Sequence, residues 1–227
     1  MTLQANLQHL IQEIPSGVRL VAVSKTQSLE TIRALYDAGQ RIFGENKVQE
    51  LITKYPRLPD DIEWHFIGHI QRNKVKFIVP VTSLIHSIDS FRLLKEVNRE
   101  AGKISRKVNC LLQFHIAAEE SKFGLSWEEA VDLLSSDEFP EMNHVNICGV
   151  MGMATFTDNQ ALVRKEFRHL RTIFQQLKER FFNDSPDFTE RSMGMTNDYN
   201  IAIEEGSTLI RIGTMLFGPR LVNVHLP

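Results

Sequence analysis

A lysine closes the first apolar run of this chain, in the stretch VRLVAVSKTQS from Val18 to Ser28. Lysine is costly to bury and ordinarily sits on exposed faces. Lys25 after a strand-like run is therefore either an edge residue or an amine held in a site. An amine walled by apolar side chains has its ammonium form disfavoured, and the neutral form is the nucleophile that condenses with an aldehyde or ketone. Near the other end of the chain, RIGT from Arg211 to Thr214 sets a guanidinium two residues before a glycine. Alternation along a strand puts Arg211 and Gly213 on one face, the interior one if the strands close into a barrel. An interior guanidinium cannot shed its charge, so it needs acceptors: a strand carboxylate in a structural ion pair, or a ligand. Gly213 and Thr214 offer backbone N–H groups where no side chain blocks approach.

Just upstream, ERSMGMTND carries Ser192, Gly194 and Thr196. These are either an ordinary turn or, beside RIGT, a cup for a dianion. Asn46 in FGENKVQE has an amide that can reach a ligand ring or tie down its own loop. His65 and His69 in WHFIGHIQRNK stand four apart. That spacing serves a metal on a helix, but the segment reads as strand and loop with no glutamate between them, which argues against a metal. His86, Asp89 and Lys122 are further polar groups to which spacing assigns no role.

These groups meet only if successive strands end on one face. The opening helix has Leu3, Leu7, Leu10, Ile11 and Ile14 at helical spacing and stops at Pro15-Ser16-Gly17. Strand-like and helix-like segments then alternate: VRLVAVS with SLETIRALYDAG, RIFGEN with KVQELITKY, EWHFIG with NKVKFIV, SLIHSI with SFRLLKEVNREAG, VNCLLQFHI with SWEEAVDLLSS. HVNICGVMGM, ERSMG and STLIRIGTMLFG complete the strands, with a long helix near Gln160 to Phe182 and a short one near Asp198 to Glu205. Eight strands separated by seven helices predict an α/β fold, a single-domain (β/α)8 TIM barrel over residues 1–227 with an additional N-terminal helix. An open doubly wound sheet is the alternative, but it would ordinarily show a glycine-rich turn after strand one, and SKTQS has none. Barrel sites gather at the C-terminal ends of the strands, where Lys25, Asn46, Ser192, Gly194 and RIGT all fall. Val163, Phe167, Leu170, Phe174, Leu177 and Phe181 form a stripe on the long helix, read as packing on the barrel wall. The segment near Asn183 to Phe188 reads as a surface loop.

Composition narrows the class. In 227 residues, 26 basic side chains stand against 28 acidic, so no electrostatic footprint favours nucleic acid or an anionic membrane. The start has no signal-peptide pattern and no apolar stretch approaches the roughly 20 residues that span a bilayer. Cys110 and Cys148 lie in apolar runs and read as buried free thiols of a cytoplasmic protein.

An imine-forming lysine, an anion cup across the barrel and a buried cation between them suggest one ligand, pyridoxal 5′-phosphate. It brings an aldehyde for Lys25, a phosphate for strands seven and eight, and a pyridine nitrogen for Arg211. The alternative is a cofactor-free Schiff-base aldolase acting on a sugar phosphate, which also needs an acid/base carboxylate near the lysine. None lies in the adjoining loop before Glu30.

The blocks AVSKT, FGENKVQE, WHFIGHIQRNK, HSIDS, EESKFG, GVMGM, RSMGMTNDYNIAIEEGSTLIRIGT and LFGPR run in order along the chain. In them the sequence resembles the pyridoxal phosphate homeostasis proteins, single-domain relatives of bacterial alanine racemase. The resemblance implies that Lys25 bears the cofactor as a Schiff base and that Arg211 faces the pyridine nitrogen. It implies that Gly213 and Thr214 bind the phosphate with Ser192, and that Asn46 lies close to the ring. Arginine beside the nitrogen keeps it unprotonated and makes the ring a poorer electron sink. A racemase adds a second acid/base residue from a further β-domain and a dimer partner, and Pro227 follows Gly218 by only nine residues. The expectation is a monomeric carrier in vitamin B6 and amino-acid/keto-acid balance, serving cofactor-dependent apoenzymes, without robust turnover. The competing expectation is an enzyme with weak amino-acid racemase or transaminase activity.

Overall fold

The computed structural model describes residues 2–119 and 123–218. Its eight strands are β1 (Arg19–Val23), β2 (Ile42–Glu45), β3 (Glu63–Phe66), β4 (Leu84–Ile88), β5 (Val108–Phe114), β6 (Val145–Gly152), β7 (Glu190–Met195) and β8 (Leu209–Ile212). They pair in sequence order, all parallel, and β8 returns to β1 to close a barrel. Parallel neighbours need crossovers. Among the described residues these are α2 (Leu29–Asp37), α3 (Val48–Lys54), α4 (Val75–Ile78), α5 (Phe91–Gly102), α6 (Trp127–Leu134), α7 (Gln160–Phe181) and α8 (Tyr199–Glu204). α1 (Leu3–Glu13) precedes the barrel and α9 (Thr214–Phe217) follows it. The expected (β/α)8 fold with its extra N-terminal helix is the observed one.

Strand alternation sorts the apolar residues into two layers. Val21, Leu84, Leu111, Cys148, Met151 and Leu209 fill the barrel interior, while Leu20, Ala22, Phe43, Trp64 and Phe66 face the helices. Both faces of the sheet are covered, so β4 is buried along its whole length. Ser28 caps α2 by accepting from Thr31 N, and Gly39 at φ 107° turns the chain out of it. On α7, Val163, Phe167, Leu170, Phe174 and Leu177 are buried against the wall, with Phe181 partly so.

Three segments differ from expectation. In the first helix Ile11 points outward and is 54% exposed, because the stripe is already complete with Leu7 and Leu10. The segment taken as a surface loop carries Phe188 into the core, stacked on Phe174 and Phe182 at 4.9 and 4.2 Å. STLIRIGTMLFG is a strand only to Ile212, after which α9 begins. Cys110 and Cys148 are free and buried. No helix among the described residues is long and apolar enough to cross a membrane.

Candidate active site at the barrel mouth

β1 ends at Val23, so Lys25 stands two residues beyond the strand, in a turn with Thr26. Its parity is that of Val21 and Val23, which brings it, half-buried, into a cavity of about 320 Å³ at the mouth. Gly213 and Thr214 form the neighbouring wall because β8 pairs directly with β1, Ala22 against Ile212. They begin α9, and the first N–H groups of any helix have no acceptor within it. The rest of the wall comes from Val23, Gln27, Phe156, Gly218 and the Met195–Asp198 segment. Thr196 is therefore in the cavity, and the lysine and the expected anion donors are neighbours rather than across the barrel from each other.

Ser192 and Gly194 are placed differently from expectation. Between Ser192 and Met195 the pairing with β8 slips: Ser192 stands opposite Leu209, but Met195 stands opposite Arg211. The extra residue turns Gly194 out of the barrel at φ 96°, where a Cβ would lie 2.6 Å from the Ala202 Cβ. Gly194 is thus required by the packing of α8, not brought to the cavity. Ser192 points inward but is fully buried below the cavity, where its Oγ accepts from Arg211 Nη1 and lies 2.8 Å from His86 Nδ1. Asn46 lines a separate cavity of about 420 Å³ beside Lys47 and His69, and its Oδ1 is buried with no hydrogen-bond partner among the described residues.

Arg211 is interior, as its parity required, and 4% exposed. Among the described residues its hydrogen-bond partners are neutral: Ser192 Oγ and, through Nη2 at 3.0 Å, the Gly152 carbonyl. Burial lowers its pKa to about 10, with the Asp198 carboxylate pulling the other way, so it stays cationic at neutral pH. Arginine only donates. His86 joins the two ends of a buried polar run: its Nδ1 lies 2.8 Å from Ser192 Oγ and its Nε2 3.0 Å from His65 Nδ1, and one hydrogen on each contact satisfies it. Both rings are neutral in this arrangement. His65 also lines a polar cavity with Arg19, Glu63 and Glu190. His69, by contrast, stacks on Phe123 and bonds Asp89 at 3.0 Å, so the two histidines do not share a ligand. No group of three or more potential metal ligands occurs among the described residues. Lys122 lies outside them.

This chain of neutral rings has a pH signature. Burial pushes His65 down to about 3 and His86 well below the ordinary 6.5. Between those values the unfolded chain takes up protons that the folded one refuses. The contribution to stability is complete above pH 6.5 and is lost as pH falls toward 3. Urea unfolding should show a loss of up to about 3 kcal/mol for the two rings between about pH 7.5 and about pH 5.5. A stability that does not change over that range would mean that the rings carry protons in the fold.

Sequence reading missed Phe156, Asn197 and Asp198 in the wall, and it missed what holds the lysine turn. Glu45, buried at the end of β2, accepts from Ser24 Oγ and Lys54 Nζ, and Glu50 accepts from Lys54 Nζ and Thr26 N. Only the Glu50–Lys54 pair, four apart on one helix, was visible as spacing.

A parallel barrel with a lysine and helix-opening N–H groups side by side at its mouth defines a class. Residues 1–220 match the family model described as the N-terminal domain of alanine racemase. The pyridoxal phosphate homeostasis protein of Aquifex aeolicus strain VF5 is 39% identical over 203 residues, covering 89% of this chain and 87% of that one. PipY of Synechococcus elongatus PCC7942, solved without PLP, superposes with a TM-score of 0.89 at 36% identity, covering 96% of this chain and all of the other. The same protein solved with PLP bound gives 0.84 at 35% identity. This chain belongs to the pyridoxal phosphate homeostasis protein family.

Proposed function

We propose that this protein binds pyridoxal 5′-phosphate at the barrel mouth, covalently through Lys25, and holds and supplies it in vitamin B6 homeostasis rather than turning over a substrate. The carrying observation is the adjacency of Lys25 to Gly213 and Thr214 in one cavity. On the cofactor ring the aldehyde and the phosphate arm sit on neighbouring carbons, with the nitrogen opposite the aldehyde. The ligand thus needs an amine and anion donors side by side and a third group further in. Arg211, deeper on the same face of β8 and below the cavity lining, is the cation proposed to meet the ring nitrogen. The relative solved with PLP bound supports the same ligand.

When bound, the cofactor supplies an electrophilic aldehyde and a conjugated ring that withdraws electrons. The chain's own part is to present the Lys25 amine, to hold the phosphate on Gly213, Thr214 and the Thr196 rim, and to keep a cation at the ring nitrogen. With its buried free thiols, the protein fits a reducing cytoplasm, acting as a monomer that passes cofactor to apoenzymes.

One observation favours the second reading, a weak racemase or transaminase. Asp198 is a carboxylate in the cavity wall, although its Oδ1 already accepts from Met195 N at 2.5 Å. The test is to load the full chain with the cofactor, reduce it with borohydride and map the labelled peptide. The label is expected on Lys25; a label on another lysine, or none, overturns the proposal. Turnover of single-enantiomer amino acids far above free cofactor would transfer the assignment to the enzyme reading.

A further inference from the structure

The turn that carries Lys25 is tied to α3 on both sides of the lysine. Before it, Ser24 N donates to the Gly44 carbonyl at 3.0 Å, Ser24 Oγ donates to Glu45 Oε1 at 2.7 Å, and Lys54 Nζ donates to the Ser24 carbonyl at 2.9 Å. After it, Thr26 N donates to Glu50 Oε2 at 2.6 Å. Lys54 Nζ closes the network onto Glu45 Oε1 at 2.7 Å and Glu50 Oε2 at 2.8 Å. An ion pair serving only to dock α3 on β2 would end on side chains. Here two of the bonds end on backbone atoms of the residues flanking the lysine.

Thr26 shows why such a tie is needed. It sits at φ 64°, a left-handed conformation that a β-branched residue adopts only where its surroundings impose it. The turn's own bond, Gln27 N to the Ser24 carbonyl at 3.0 Å, works against that strain from within, and Glu50 adds a tie on the strained residue from outside the turn. Burial acts to raise the Glu50 pKa, but the bonds from Lys54 and the Thr26 N–H outweigh it and hold the carboxylate ionised. A charged acceptor on a backbone N–H is among the stronger single ties available.

We propose that Glu50 and Lys54 are positioning residues for Lys25, setting how fast the covalent link to pyridoxal phosphate forms and is released. This rests on Lys25 being the attachment point. In that step the Nζ lone pair attacks the aldehyde carbon, a C=N bond forms, and the carbonyl oxygen leaves as water with both amine hydrogens. Hydrolysis reverses it. Glu50 and Lys54 supply no atom to this exchange and neither lines the cavity; they act through the population of the turn that presents the amine.

The experiment follows the absorbance change when pyridoxal phosphate is added to cofactor-free full-length protein. Glu50→Ala should slow formation and release about tenfold, with borohydride still mapping the label to Lys25. Adding Thr26→Gly should recover at least about a third of the loss on a logarithmic scale, because glycine takes a positive φ without cost. A support that merely stabilised α3 would not be rescued there. A wild-type rate in Glu50→Ala, or no recovery with Thr26→Gly, overturns the proposal. Should Glu50→Ala fail to fold, Glu50→Gln keeps an oxygen for Thr26 N and loses the charge. About threefold slowing is expected from it, and an unchanged rate overturns the proposal. A label found elsewhere in the wild-type protein would instead sink the Lys25 reading, whatever the rates.

Discussion

Lys25→Ala abolishes the visible absorbance band of the protein mixed with pyridoxal phosphate and leaves its unfolding curve nearly where it was. The two halves of this expectation have separate causes. The band arises from conjugation of a C=N bond with the cofactor ring, and only an amine within the cavity can make it. Lys25 is half-buried in a turn, outside any strand and outside both apolar layers, so truncation opens no core cavity. A substitution at such a place typically moves stability by about 0.5 kcal/mol or less. The ties on Ser24 and Thr26 involve their backbone and the Ser24 hydroxyl, all of which survive the change. On the proposed reading, what remains for the ligand is the phosphate grip of Gly213 and Thr214 and the charge of Arg211. Affinity should fall about a hundredfold or more, a loss of about 3 kcal/mol, as measured by dialysis with phosphate-analysed cofactor. An unaltered band in Lys25→Ala would place the imine on another lysine. A lost band together with a collapsed fold would show that Lys25 is a structural residue.

The barrel was legible because its signals are local. Period-two and period-3.6 patterns alternate along the chain, and each β/α unit announces itself within about 25 residues. Arg211 followed from parity, and Lys25 and Gly213 from their places just past the ends of β1 and β8, which pair without interruption. Gly194 did not, because a slip in register between Ser192 and Met195 reverses parity, and nothing in SMGM marks the extra residue. Ser192 was assigned the right face, but the partners it has in the structure were not foreseen. Its hydroxyl is claimed by His86, 106 residues away on β4, and by Arg211, and no pattern within either segment encodes that meeting. The Glu45–Ser24 bond likewise joins two strand ends whose only link is the barrel's own closure. Polar groups satisfied by distant elements are the residues that local periodicity cannot assign.

Arg211→Glu should change the electronic state of the bound cofactor without preventing its attachment, and it should also cost the most stability of any change at the site. In the wild type the guanidinium donates to Ser192 Oγ and to the Gly152 carbonyl while 4% exposed. A carboxylate there would face the Gly152 carbonyl acceptor, with no cation among the described hydrogen-bond partners to compensate. Removing one partner from a buried charged network typically costs about 3–5 kcal/mol, unless the new group takes up a proton instead. If Arg211 faces the ring nitrogen as proposed, a carboxyl group in its place can share its proton with that nitrogen, whereas the guanidinium can only donate and would keep it bare. The protonated ring is the better electron sink, so the bound absorbance should shift and slow racemisation of added amino acids should rise above the wild-type level. Arg211→Met separates the two effects. It leaves Ser192 and Gly152 without their donor and should lose about 2–4 kcal/mol, but it brings no proton and should leave the nitrogen bare. If both variants are destabilised and only Arg211→Glu alters the spectrum, Arg211 sets the state of the ring. If neither alters it, the guanidinium serves only to satisfy the barrel's interior, and the ring nitrogen must find its partner elsewhere.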